Sequence, residues 1–185
     1  MNIKDQIKTV LEENRRVLGE INPASVEELE TAIRKAKAIF CSAQGRSGFV
    51  LRCFCMRLMH LGYQVYFSGE TITPSIHPED LLIVLSGSGE TPSTVEAVKI
   101  SKQRRAATIG ILGNLNSRAA ALVDHRIYIP GTTKLDGEGE PFSEQMSGSL
   151  FEQTAFIFLE AVVNAFYLNV KEEVGKVSKR HAIIE

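Results

Sequence analysis

The chain has 185 residues, 21 Lys+Arg against 22 Asp+Glu for a net charge of −1, with 44% hydrophobic and 23% charged residues. This is the composition of one globular domain, and it excludes an intrinsically disordered chain. Charges so balanced give no overall electrostatic reason to bind nucleic acid or an anionic membrane. The N-terminus carries Lys4, Asp5, Lys8, Glu12 and Glu13, so no signal-peptide h-region is expected. No membrane span is expected either, because Glu160 and Asn164 interrupt the most apolar stretch, 154–170. Three cysteines without a CxxC read as free thiols in a reducing cytoplasm.

Residues 1–18 place Ile3, Ile7, Val10, Leu11 and Leu18 near helical spacing, which predicts an amphipathic helix ended by Asn22-Pro23. A second helix to about residue 37 is predicted, with Ser25 as its cap and Glu27 and Glu28 in its first turn. From residue 38 short apolar runs alternate with helical patterns. Strands are expected at 38–41, 63–67, 81–85, 108–112 and 125–129, with helices at 48–60 and 92–104 and a short helical turn after Asn116. The polar, Gly-rich segment 131–143 reads as a flap. A long helix from about 145 to 168 and a charged tail follow. Continuous apolar strands alternating with helices predict an α/β fold: a three-layer αβα sandwich on a five-stranded parallel sheet. The expected organisation is a single domain: N-terminal helices over 1–37, sheet core with edge loops over 38–143, and long helix with tail over 144–185.

Ligands of such sheets bind at the carboxyl ends of the strands, which groups the loops at 43–48, 68–71 and 86–91. In the last of these, Gly87 and Gly89 allow a tight turn that gathers backbone N–H groups, while Ser86, Ser88 and Thr91 add hydroxyls. Pro92 suits the first helical position and makes Thr91 the expected N-cap, so the loop sits on the positive end of a helix. It lacks the lysine of a nucleotide P-loop and the third glycine of a dinucleotide fingerprint. A single phosphate monoester fits it best, with Arg46 and Ser47 of the neighbouring loop completing the pocket.

Five segments in order, Gly45-Arg46-Ser47, 56–62 (MRLMHLG), 69–74 (GETITP), 86–91 (SGSGET) and 148–153 (GSLFEQ), make the chain resemble the 6-phospho-3-hexuloisomerase family of the sugar isomerase (SIS) domain superfamily. The resemblance runs over nearly the whole chain to His181-Ala182 and Glu185, with departures at Gln44, Met146-Ser147 and Ile183. It implies a SIS-type, flavodoxin-like fold. It also implies a cytoplasmic isomerase converting 3-hexulose 6-phosphate to fructose 6-phosphate in the ribulose monophosphate pathway of formaldehyde fixation. No metal or organic cofactor is implied. A homotetramer is, with active sites near subunit contacts. The loop from Ser86 to Thr91 (Ser86, Gly87, Ser88, Gly89, Glu90, Thr91) and Ser47 would bind the sugar phosphate, and Glu152 would accept the proton. The tail would dock and bring His181 to ring opening or proton transfer, in its own or a neighbouring subunit.

The chemistry asks for a base and for donors to an enediolate oxygen. On a helical wheel Phe156, Leu159, Val163 and Phe166 fall within ~40° of Glu152, which places this carboxylate on an apolar face where desolvation favours a base. Gly148 and Ser149, one turn earlier, leave room for substrate. Glu90 is the rival carboxylate, and its position reads equally as a helix-start charge. Glu70 stands on the same edge and can bond sugar hydroxyls. His60, His77 and His125 have no metal-ligand spacing and read as structural. Two alternatives remain open: another SIS aldose–ketose isomerase, and a non-catalytic sugar-phosphate-binding module. The 37 residues before the first strand leave little room for a helix-turn-helix module.

Overall fold

A computed structural model describes residues 2–131, 143–169 and 179–181. In chain order the elements are α1 (Ile3–Gly19), α2 (Pro23–Lys35), β1 (Ile39–Ser42), α3 (Gly45–Leu61), β2 (Val65–Phe67), β3 (Leu81–Ser86), α4 (Pro92–Gln103), β4 (Ala107–Leu112), α5 (Arg118–Leu122), β5 (His125–Tyr128) and α6 (Ser149–Asn169). The five strands form one parallel sheet in the order β2-β1-β3-β4-β5, as expected. β3 lies at its centre, registered with β1 through Ile39 opposite Leu81 and with β4 through Leu81 opposite Ala107. Both of its faces are covered, which is why all six of its residues are buried.

Alternate residues of the strands enter two separate cores. Ile39, Cys41, Ile83, Ile109 and Ile111 face one side, where Leu51, Phe54 and Leu58 of α3 and Phe151, Phe158 and Leu159 of α6 pack against them. Phe40, Leu82, Val84 and Leu112 face the other, against Val95 and Val98 of α4 and Ala119 and Ala120 of α5. Helices on both faces of the sheet give the three layers predicted from the strand pattern. All three cysteines are free thiols; Cys41 is buried, and a hydrogen bond with Cys55 together with burial pushes its thiol well up.

Several element boundaries differ from the sequence expectation. α2 starts at Pro23 and is capped by Asn22, whose side chain accepts from the Ala24 N–H; Ser25 lies inside the helix and donates to the Asn22 carbonyl. Proline at the first helical position explains the earlier start, and it moves Glu27 and Glu28 out of the first turn. α6 starts at Ser149 rather than Gln145, because Gly148 adopts φ +87, outside the helical region, directly before it. The proposed flap lies mostly at 132–142, outside the described residues, as do Ile183 and Glu185 of the tail.

α6 also corrects the expectation about membrane spans. By length and composition Ser149–Leu168 is apolar enough to cross a bilayer. In this fold it is a core helix lying against α1 and α3. α1 meets it through a polar contact rather than the predicted apolar stripe: Ile3, Ile7 and Leu11 are exposed, while Asn14 and Val17 are buried. The Asn14 side-chain amide donates to the Val10 carbonyl at 2.8 Å and to the Gln153 side-chain oxygen at 2.8 Å, and its oxygen accepts from the buried Thr154 hydroxyl at 2.9 Å.

Asn14→Ala would strand the Thr154 hydroxyl in the core. A loss of about 2–3 kcal/mol is expected, read as a lower urea midpoint with an unchanged slope.

Candidate active site

β3 ends at Ser86 and α4 begins at Pro92, so the intervening loop projects from the centre of the carboxyl edge. Gly89 takes φ +65, a conformation that favours glycine. Its N–H donates to the Ser86 hydroxyl at 3.0 Å, and the Glu90 N–H donates to the Ser88 hydroxyl at 3.2 Å. Thr91 occupies the N-cap position as expected, but its hydroxyl makes no capping bond and lies 3.5 Å from the Ser86 hydroxyl instead. Three hydroxyls thus gather at the start of a 12-residue helix, whose positive end favours an anion. A Cβ on Gly87 would meet the Phe151 ring at 3.3 Å, so the first turn of α6 lies directly against this loop.

Glu90, the rival carboxylate, is held by Arg118. Its carboxylate accepts the Arg118 backbone N–H at 2.7 Å and the Arg118 Nε, while Arg118 Nη2 donates to the Glu90 carbonyl at 2.9 Å. The Arg118 backbone and guanidinium hydrogen bonds hold its carboxyl below the usual carboxylate range.

Arg46 and Glu152 are brought together across the chain. Arg46 stands in the first turn of α3, immediately after the β1 edge loop, and its Nε donates to Glu152 Oε2. The Glu152 side chain is only 14% exposed, against 67% for Arg46. Leu159, Val163 and Phe166 are buried, as the helical wheel required, but Phe156 is exposed and lines an apolar cleft of about 440 Å³ together with Arg46, Phe49, Glu152, Ile157 and residues of α1. Ser47 is buried beside Arg46. The stretch entering α6 is tied to α1: Glu13 accepts from the Ser143 hydroxyl at 2.6 Å, the Glu144 N–H at 2.8 Å and the Gln145 side chain at 2.8 Å. Burial opposes the ionised form of Glu13, yet these bonds hold its carboxyl below the usual range.

Glu70 lies at the edge as expected and is held by Arg52 of α3, whose guanidinium also covers the Phe67 ring at 3.8 Å. A second cleft of about 440 Å³ opens there, between the β1 and β2 loops, lined in part by Gln44, Arg52 and Ser68. His181 does not join Glu152 in the same chain. Its ring lies 3.9 Å from that of His60, near the far end of α3, in a pocket shared with Arg57, Glu160, Val163, Asn164 and Tyr167. His60 is buried there, and burial, His181 and Arg57 push its imidazole down. Arg52 and Arg118 gave no signal in the sequence, because each meets its carboxylate only through the fold. Among the described residues no cluster of three His, Cys, Asp or Glu is placed to hold a metal.

The SIS domain family matches residues 32–144. A 3-hexulose-6-phosphate isomerase of Mycobacterium gastri is 36% identical over 184 residues, covering 100% of this chain and 92% of that one. One of Methanocaldococcus jannaschii is 37% identical over 163 residues, 84% of this chain and 82% of that one. Among solved structures, a hypothetical protein of Methanococcus jannaschii, from which a molecular function of 3-hexulose-6-phosphate isomerase was inferred, superposes with a TM-score of 0.83 at 33% identity, covering 98% of this chain and 99% of that one.

A methyl group on Gly89 would fall 2.0 Å from the Ser117 hydroxyl, which is buried and donates to the Asn114 carbonyl. Gly89→Ala adds that clash to an unfavourable backbone conformation. It is expected to cost about 2–4 kcal/mol, measurable by thermal unfolding against a Gly19→Ala control, where a Cβ meets nothing within 4 Å.

Proposed function

Since the chain belongs to the SIS domain family and, within it, to the 3-hexulose-6-phosphate isomerases, we propose that it interconverts 3-hexulose 6-phosphate and fructose 6-phosphate. The observation that carries this reading is the largely buried Glu152, paired with Arg46 and carried on a helix whose first turn lies against the 86–91 loop, at the edge where a parallel sheet binds its ligands. Ser86, Ser88 and Thr91, the backbone of Gly87 and Gly89, and Ser47 hold the phosphate end. Glu152 takes the proton from C2 of the open-chain ketose, leaving a 2,3-enediolate. Return of a proton to C3, with the hydroxyl proton passing from O2 to O3, leaves the ketone at C2. Arg46 turns from Glu152 toward the sugar, which frees the carboxylate and supplies donors where the oxyanion develops. Glu70 bonds the sugar hydroxyls. No metal or organic cofactor takes part. The reaction belongs to formaldehyde fixation by the ribulose monophosphate pathway, in the cytoplasm.

The same reading includes a homotetramer. Ile3, Ile7 and Leu11 of α1, Phe49 of α3, and Phe156 and Ile157 of α6 are exposed, and most of them border the cleft that holds Glu152. Contact between copies covers such a surface and brings the His181 of one subunit to the substrate of another, where it assists ring opening.

Glu152→Gln keeps the shape and the Arg46 contact but accepts no proton. The expected fall in kcat is about 10²–10⁴, with little change in KM, followed by coupled assay and by loss of C2 proton exchange with deuterated solvent. Glu90→Gln should lower kcat by less than about tenfold; the reverse ranking would make Glu90 the base. Light scattering at micromolar concentration should report a species larger than 20.4 kDa, and a stable monomer would remove the oligomer from the reading.

A further inference from the structure

A phosphate-binding loop that contains a glutamate carries a liability. Glu90 lies between Gly89 and Thr91, so a dianionic ligand held by this loop meets a third negative charge nearby, and like charges at such range oppose binding. The fold answers this from another segment. The turn before α5 and the first residues of α5 are packed onto the back of the loop: the Ala119 N–H donates to the Gly89 carbonyl at 3.0 Å, and Ser117 fills the space beside Gly89. Arg118 engages Glu90 at three points, with its backbone N–H and Nε on the two carboxylate oxygens and Nη2 on the carbonyl. The carboxylate is therefore turned toward Arg118, paired, and its backbone carbonyl is occupied.

We infer that Arg118 is the positioning residue of the phosphate loop, neutralising Glu90 and holding its carboxylate turned away from the anion. The inference rests on the proposed function, in that the loop is taken to bind the phosphate of the substrate. Arg118 acts through Glu90 and takes no part in proton transfer. Its guanidinium is well exposed, with a side chain 59% accessible to solvent, so replacing it leaves the core intact. A lysine keeps the charge but loses the fork that spans the carboxylate and the carbonyl.

The test is a cycle of Arg118→Met, Arg118→Lys and the double variant Glu90→Gln/Arg118→Met, each assayed for turnover and titrated calorimetrically with fructose 6-phosphate and with inorganic phosphate. Arg118→Met is expected to raise KM and weaken both ligands by about tenfold or more while kcat stays within about threefold. Arg118→Lys should fall between it and the unaltered protein. Removing the stranded charge in the double variant should bring both affinities back to within about threefold of the unaltered protein. The inference is overturned if Arg118→Met binds both ligands as the unaltered protein does, if the loss appears in kcat with KM unchanged, or if the double variant binds no better than Arg118→Met. Failure of the unaltered protein to bind either ligand would instead overturn the phosphate-loop reading, and this inference with it.

Discussion

Parallel pairing of β3 between β1 and β4 is the constraint from which the arrangement of the site follows, because it delivers three loops to the same edge of the sheet. Pairing of Ser86 with Leu112 brings the two chain segments that leave these strands side by side. They approach so closely that a Cβ on Gly113 would lie 2.6 Å from the Gly87 carbonyl oxygen. Two glycines at this crossing let the backbone of the loop after β4 support the backbone of the loop after β3. A Gly-rich loop is flexible by itself, and here its shape is set by its neighbours.

Each candidate site carboxylate is paired with an arginine from a separate stretch of chain: Glu152 with Arg46, Glu70 with Arg52, and Glu90 with Arg118. Two of these pairs are substantially open to solvent, and such ion pairs contribute little to stability. Their consequence is geometric, since an arginine fork fixes the direction of a carboxylate as well as balancing its charge. Glu152 differs from the other two in being largely buried. It is also the one whose arginine shares a cleft with it, so the pair can open toward a ligand without disturbing the core.

The helix that carries Glu152 is held in place by polar contacts that have nothing to do with sugar chemistry. Glu13 gathers the residues that lead into α6, and Asn14 bridges Gln153 and Thr154 just beyond Glu152. α1 thus positions the candidate base through two adjacent polar side chains while leaving Ile3, Ile7 and Leu11 to solvent in the single chain. A helix that spends its buried face on hydrogen bonds and exposes its apolar stripe has a second surface still to cover, which is the physical basis of the proposed oligomer.

The α/β fold was legible because its signal is local: short apolar strands ending in small residues, alternating with helical patterns, admit few other arrangements. The strand–loop–helix unit around 86–91 was legible for the same reason, since strand, glycines, hydroxyls and Pro92 are contiguous. Local chemistry also misled where one residue outranked another nearby. Pro23 moved the start of α2 away from Ser25, and Gly148 moved the start of α6 away from Gln145. The partners of Glu152, Glu90 and Glu70 were not legible at all. Arg46 and Glu152 are 106 residues apart, Glu90 and Arg118 are 28 apart, and Arg52 and Glu70 are 18 apart. No periodicity or motif relates such positions. The sequence by itself determined which groups are present and which edge of the sheet they reach, because strand direction and loop composition are written along the chain. Only the tertiary structure decided which carboxylate is paired with which guanidinium, because that depends on distances across the sheet edge that exist once α3, α5 and α6 have packed.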